Sequence, residues 1–460
     1  MSQVRSSFQV QSISLQSERY NQVLDLSGVF ASIDIFESLD KPYITADLIV
    51  NDDQNWYETY DILGGEKVII NFVSDRDKTE GASTRLISKT FYVHHVFSRK
   101  RVNEYTQIVF LHLIEDIQYI SNLQNVNKFY DGKGHEIIEK ICNEYLNIEL
   151  AKTNNPKDNQ LYNLIVPNMS PLEAIKWITN SLTTQNGFPF FVFSTFVGNK
   201  LVLRDLETLL SGEVINRQHP YTWTPSSIQN PNPGVARRAI KSMEAAKAED
   251  LFKLIKNGHI GAKYTYLNTA APDEETDLEF DYDIVKDTLQ PAMQSGEIFR
   301  NQKNPPYSPS FKYNNKSFNE LQSKHYALFG GSNPYRITNL PEDDSKPEFP
   351  LALGEAYDEA DYKLFISGKS IEQLLKKSPM NIGINGLDFV DGDHHYTIGN
   401  LLFCKFSKTR DVALPHEKES TLDSKLSGNY LIYKARHMIK RENYDISFTI
   451  VKLGSMDADG

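Results

Sequence analysis

The sequence predicts a mainly β protein with α+β insertions, arranged as several domains with two similar small β-barrels, one near each terminus. Three observations carry that expectation. Apolar residues alternate with polar ones early in the chain, as at Val29, Ala31, Ile33 and Ile35, which is the period of a half-buried strand. The same period returns at the end, where Leu426 to Gly454 reads as two antiparallel strands about a polar turn. Between the two, the spacing of apolar residues lengthens to that of a helix.

Taken in order, strands are expected over 26–36, 44–50, 68–73, 90–98 and 105–113, with turns at Asp40-Lys41-Pro42 and Gly64-Gly65. Five strands spaced in this way suit a small barrel or sandwich. From Gly134 to Leu146, the side chains of Ile137, Ile138, Ile141 and Tyr145 fall on one helical face. Ser170-Pro171-Leu172-Glu173 starts a second helix, predicted to reach about Leu182: Ser170 caps, Pro171 fits the first turn, and Glu173 returns a bond to the cap. The runs 188–193 and 199–204 read as a hairpin packed on that helix. With Pro189 and so short a length, the first run fits a buried strand rather than a membrane-inserting tip.

Residues 222–234 are a connector rich in Pro, Asn and Ser. A helix is predicted over 236–256, with Met243, Leu251, Leu254 and Ile255 as its apolar side and Asn257-Gly258 as its stop. The charge-rich run 272–283 reads as a solvated or edge segment. Irregular structure is expected over 302–350, interrupted by a helix near 317–328. Short strands then return at 362–368, 380–386 and 396–406, before the closing hairpin. Four units follow: an N-terminal β-barrel at 1–122, an α+β domain at 123–216, a helical or irregular central section at 217–350, and a C-terminal β-barrel at 351–460.

The composition agrees with this plan. At 460 residues the chain has room for about three domains of ~150 residues, each with its own core. Its 25 Phe and 24 Tyr against 3 Trp suit sheet packing, because flat rings fit a pleated, half-buried surface. A net charge of −11 argues against broad phosphate binding, which needs a basic face; it leaves room for a local basic patch only. Two cysteines, Cys142 and Cys404, are too few for a disulfide framework and fit a reducing compartment. The first residues lack the basic start and apolar run of a signal peptide, and no window approaches the ~18 apolar residues of a membrane span. Synthesis and folding in the cytosol, without stable membrane insertion, are therefore expected.

The residues offer little chemistry. His94-His95 and His394-His395 are the metal suspects, but neighbouring side chains of a strand point to opposite faces, so neither pair chelates one ion unaided. Asp391-Gly392-Asp393 adds carboxylates beside the second pair, and Asp-Gly is equally a hairpin turn. No His-Glu-x-x-His, phosphate-binding Gly-rich loop, Gly-x-Ser-x-Gly elbow or zinc-spaced Cys pair occurs. Glu355 and Asp358 sit in no catalytic framework and read as surface charges. With 60 acidic residues, a carboxylate pair for glycoside cleavage stays open. No catalytic, cofactor-binding or metal-ligating residue is assigned, and no cofactor is expected.

The order of parts is distinctive. Residues 44–52 and 62–72 are followed by 91–97 with 105–110. The α+β stretch 165–175 comes next, and Leu426-Ser427-Gly428-Asn429-Tyr430 with His437 closes the series. In this order the chain resembles the baseplate hub subunit of contractile-tailed bacteriophages and, more distantly, the hub part of type VI secretion spike proteins. That resemblance implies a non-enzymatic structural protein of the virion, assembled in the host cytoplasm. It implies a homotrimer in which each chain gives two similar barrels to a ring, so that three chains imitate sixfold symmetry. Such a ring meets a hexameric tail tube protein on one face and a trimeric central spike protein on the other, and DNA passes through its channel without specific binding. The section 217–350 falls outside the resemblance and is expected to decorate the ring or meet other baseplate proteins. Residues 455–460 are a short polar tail, so a piercing tip is expected on a separate chain. The alternatives are a cell-wall-degrading tail enzyme and a secretion-system spike hub. Strands near 68–73 and 430–439 are candidates for the ring contact, with a purely internal role as the competing assignment.

Overall fold

The computed structural model describes residues 7–75 (except 18), 85–152, 161–223 (except 197, 199 and 218), 238–245, 262–267, 275–280, 312–317, 325–329, 335–337, 359–376, 379–386, 397–407, 423, 426–441 and 443–452. The protein is mainly β with α+β insertions. It opens with β1 (Ser7–Ser17), β2 (Tyr20–Asp25), β3 (Phe30–Ser38), β4 (Thr45–Asp52), a one-turn α1 (Trp56–Thr59), β5 (Lys67–Asp75), β6 (Arg85–Arg101) and β7 (Gln107–Glu115). The five strands read from sequence are β3 to β7. The β1–β2 hairpin went unread, because its exposed Gln and Ser positions dilute the alternation.

An α+β section follows: α2 (Asp116–Asn122), β8 (Phe129–Lys133), α3 (Gly134–Ile141) with a π-helical turn at Cys142–Leu146, β9 (Leu150–Ala151), β10 (Leu161–Ile165), α4 (Pro171–Thr179), β11 (Phe190–Ser194), β12 (Leu201–Asp205) and α5 (Leu206–Ser211). The start of α4 is as its sequence predicts. Glu173 accepts from the Ser170 backbone N–H at 3.2 Å and from the Ser170 hydroxyl at 2.8 Å, satisfying a donor that the helix itself cannot. Ile137, Ile138 and Ile141 of α3 are fully buried with Ile175 and Ile178 of α4 in one cluster, so the two amphipathic helices form the core of this section.

The next described elements are β13 (Tyr221–Trp223), β14 (Ser242–Ala245), β15 (Ala262–Leu267), β16 (Glu275–Phe280), β17 (Lys312–Tyr313), β18 (Lys316–Ser317), β19 (His325–Phe329) and β20 (Tyr335–Ile337). Here the sequence reading is corrected. The described part of the helix expected over 236–256 contains a strand, β14, which pairs with a later strand at Gly383; a Cβ on Gly383 would stand 2.4 Å from Ser242 Oγ, so the glycine admits the close approach. Tertiary pairing overrides helix propensity. The helix expected near 317–328 gives way at its described ends to β18 and β19, the latter paired in parallel with β15. The acidic run around Glu275–Phe280 is an edge strand, in the order β16-β15-β19, as its charge pattern suggests.

The chain closes with α6 (Glu359–Leu375), β21 (Met380–Asn385), β22 (Leu401–Phe406), β23 (Gly428–Lys440) and β24 (Tyr444–Val451). The strand expected at 362–368 is instead part of α6. Ser367, Ser370, Ile371 and Leu374 are buried at a spacing of three and four, which is a helical face; Gly368 interrupts it for contact, not as a turn, since a Cβ there would lie 3.1 Å from Thr183 Cγ2 and 3.2 Å from the Gly187 carbonyl oxygen.

One 13-stranded sheet runs β14-β21-β24-β23-β3-β4-β7-β6-β5-β1-β2, with β22 and β13 joined to it through β23. The strand sets at the two ends of the chain thus meet edge to edge, antiparallel, from Lys434↔Ser38 to Lys440↔Ser32. The sheet curls because its long strands change partners. β6 pairs with β5 through its first half and with β7 through its second. β23 moves from β22 to β3 across an irregularity between Ile432 and Lys434, the device by which strands turn sheet corners. Among the described residues the path is open at β2 and β14. One hydrophobic cluster contains Ile33, Leu48 and Phe72 from the first strand set together with Ile382, Ile439 and Phe448 from the last, so both ends of the chain share a core.

Candidate functional site

The seam between β3 and β23 is where the described polar chemistry concentrates. Along β3 the inward positions are Ile33, Ile35 and Glu37, and Leu39 just after the strand is buried too, so period-2 geometry drives a glutamate into the core. Its counterpart on β23 is His437, inward between Ala435 and Ile439. Glu37 Oε2 lies 2.7 Å from His437 Nε2, and His437 Nδ1 lies 2.8 Å from the Tyr444 hydroxyl. Glu37 is 2 % exposed and His437 0 %. Both ring nitrogens of His437 therefore have a side-chain partner inside the core.

The second oxygen of Glu37 accepts from the backbone N–H of Phe196, on the loop between β11 and β12. Phe196 is fully buried. Its ring meets Phe72 of β5 edge-on at 5.1 Å and lies 4.8 Å from the His437 ring. One loop residue therefore touches both strand sets. The other end of the loop is held by Glu115, last residue of β7, again in phase with buried Val109, Leu111 and Leu113. Glu115 accepts from Ser194 Oγ at 2.9 Å, from the Ile44 backbone N–H at 3.0 Å and from Lys89 Nζ at 3.3 Å, while Lys89 also donates to the Gly198 carbonyl. Burial pushes the Glu115 carboxyl up from its ordinary value, against the opposing pull of Lys89 and its hydrogen-bond donors.

A third cluster fixes α6 to the seam. Lys376 Nζ lies 2.9 Å from Asp40 Oδ1 and 2.8 Å from Glu372 Oε1, and the Tyr433 hydroxyl donates to Asp40. Burial alone would lower the Lys376 ammonium, but the two carboxylates outweigh it and raise it. Burial and the adjacent Asp40 raise the Tyr433 phenol. These three clusters tie the loop between β11 and β12, α6 and both strand sets together.

The sequence suspects fare differently. A bulge between Val93 and His95 breaks the alternation that was expected to separate His94 from His95. Both are exposed, their rings stand 4.8 Å apart and Nδ1 to Nδ1 is 2.8 Å. His112 joins them, 5.1 Å from His95 between ring centres and hydrogen-bonded to Asp47 at 2.6 Å. Desolvation, then the charges of His95 and His112, hold the His94 imidazole below its usual value. Among the described residues, no three His, Cys, Asp or Glu side chains are arranged to hold a metal ion. His394, His395, Asp391, Glu355 and Asp358 lie outside the described residues. Cys142 and Cys404 are buried free thiols, both pushed up to about 12 by burial. Among the described residues, no helix is long and apolar enough to cross a membrane. The strands offered for the ring contact, 68–73 and 430–439, are paired on both sides, β5 by β1 and β6, and β23 by β24 and by β22 or β3, which gives their backbones an internal role.

No family model and no curated protein matches the sequence. Solved structures do. The chain is similar to the 43 kDa tail protein of prophage MuSo2 from Shewanella oneidensis, with a TM-score of 0.51 at 11% identity over 98% of this chain and 100% of that one. It is also similar to a tail protein from Neisseria meningitidis, with a TM-score of 0.49 at 11% identity over 96% of each chain. A component of the type VI secretion system of E. coli gives 0.37 at 8% identity, covering 98% of this chain and 79% of that one. The Shewanella protein carries the comparison: the two chains share a fold from end to end.

Proposed function

We propose that this chain is the baseplate hub of a contractile phage tail, a structural protein without turnover chemistry. Three copies form a ring in which the two strand sets of each chain stand as near-equivalents, giving a pseudo-sixfold rim. That ring joins the tail tube protein to the central spike protein and continues the DNA channel. On this reading 1–122 and 351–460 are the ring-forming β units, 123–216 is the clasp between them, and 217–350 faces other baseplate proteins.

The observation that supports it is the fused sheet. Two strand sets from opposite ends of one chain are joined at β3–β23 and share one core, in a fold common to a phage tail protein over its whole length. A fixed pair of β units per chain is what a threefold object needs to meet a sixfold one, and cyclic heterologous contacts close such a ring. The test is an electron-microscopy average of the purified protein viewed down its axis. Three subunits around an open channel, with six regularly spaced β units, are expected; a stable monomer at micromolar concentration overturns the hub. Peptidoglycan incubated with the protein is expected to stay intact, and turnover would replace the scaffold by an enzyme.

A further inference from the structure

Beyond the bulge at His94, β6 keeps only one strand neighbour. β5 pairs with it from Arg85 to Tyr92 and β7 from Phe91 to Arg101, so among the described residues its outer edge from His94 onward is open. The nine residues from Phe97 to Tyr105 are all exposed. Phe97 is 49 % exposed, Val102 56 % and Tyr105 81 %. Between these apolar side chains stand Arg99, Lys100 and Arg101, in a chain whose net charge is −11.

The tip of this hairpin is built, not loose. Asn103 Oδ1 accepts from the backbone N–H of Tyr105 at 2.8 Å and of Thr106 at 2.7 Å. The Arg101 guanidinium donates to the carbonyls of Asn103 and Glu104, both at 3.2 Å. Arg99 lies over the Tyr57 ring at 5.2 Å and 3.4 Å from Glu58. Phe97 leans on Phe110 at 5.5 Å. An open edge protects itself from unwanted pairing with bulges and basic side chains, and β6 has both, with irregularities at Val93/His95 and Val96/Ser98. Protection does not account for three large apolar side chains held out in water on a fixed scaffold. Aromatic residues and arginine on a rigid support are what a protein–protein contact uses, and rigidity lowers the ordering cost of docking.

We infer that the β6–β7 hairpin tip, Phe97 to Tyr105, is a subunit contact that docks on an acidic surface of a second copy of this chain. The inference rests on the ring reading and names where the ring closes. Charge selects the occupant: a cationic tip on an acidic chain is attracted to the remainder of its own kind, and a tip-to-body contact is heterologous, the type that closes a ring. The bulges keep the edge from simple strand addition, so side chains make the contact.

Light scattering on the full-length protein across concentration and ionic strength tests it. Wild type is expected at three times 52.6 kDa, with assembly weakening as salt rises. Lys100→Glu, and separately Tyr105→Ala, are expected to keep the circular dichroism and melting of the parent and to raise the dissociation constant about tenfold or more. A photo-crosslinking phenylalanine analogue at position 105 is expected to join two copies. Folded variants that assemble as wild type does, or a crosslink that reaches only a different tail protein, overturn this contact and leave the ring standing. A monomeric wild type removes the ring itself, before any variant is made.

Discussion

At the scale of single residues, the seam is governed by charges that fall in the apolar phase of a strand. Glu115 and Lys89 are both about 5 % exposed or less, so removing one charge leaves the other buried and alone. Lys89→Met is expected to cost about 3–5 kcal/mol for that reason, since it leaves the Glu115 carboxylate without its cation, and adding Glu115→Gln to recover most of it; urea unfolding of the two variants gives the comparison. The carboxyl also sets a pH dependence. Because its folded value is raised, the folded chain keeps a proton that the unfolded chain has lost above about pH 4.3. Stability from this group is therefore fully present in acid and declines as pH rises through the folded value, and Glu115→Gln is expected to flatten that slope. His94 acts in the opposite direction. Its value is lowered on folding, so acidification below about pH 6.5 charges the unfolded chain first and destabilises the fold. The ring is exposed, so less than about 1 kcal/mol is expected, read as the difference in urea midpoint between wild type and His94→Asn at pH 7 and 5. By contrast Arg436 and Asp34, 2.6 Å apart on the outer face with Arg436 half exposed, are expected to add little when cut.

At the scale of elements, the loop between β11 and β12 matters more than its length suggests. Phe196 fills the space between Phe72 and His437, and Phe196→Ala is expected to cost about 3–5 kcal/mol. The loss should show in hydrogen exchange as loosening at both β3 and β23, because the same loop also supplies an N–H to Glu37. Helix α6 offers a sharper test of contact against propensity. Gly→Ala inside a helix ordinarily gains about 1 kcal/mol. At Gly368 the new Cβ meets Thr183 and the Gly187 carbonyl at 3.1–3.2 Å, so Gly368→Ala is expected to lower the melting temperature instead, by overpacking. This glycine also shows why a strand was expected at 362–368. Read over seven residues the run looks alternating, and the glycine looks like its end; the helical face emerges only when Ser370, Ile371 and Leu374 are included. At α4 the signal was complete within four residues, because a cap is a local device.

At the scale of the molecule, the pairing of β3 with β23 joins segments about 400 positions apart in the chain, as in the bond of His437 to Glu37. The two strand sets are expected to unfold as one cooperative unit. Hydrogen exchange from residues 30–38 and 428–440 should follow a single opening free energy, and two separate values would show that the shared core does not couple them. For the same reason a fragment ending at residue 122 exposes the free edge of β3 and is expected to aggregate. Charge and the proposed ring contact belong to this scale too: salt is expected to weaken that contact more than it weakens the fold, since the hairpin tip is exposed and the seam is buried.

The sequence by itself determined the class of the protein, the five strands β3 to β7, the capped helix α4, the amphipathic helix α3 and the closing hairpin. Each depends on a period or a cap that a short window contains. It also held a clue that was passed over: Glu37, Lys89, Glu115 and His437 each stand where the alternation demands an apolar residue. Only the tertiary structure decided that these four come together around one loop, that the histidines at 94 and 95 face the same way, and that β14 is a strand. Those outcomes depend on bulges and on partners far away in the chain, and a register shift of one residue leaves no trace in the local pattern of side chains.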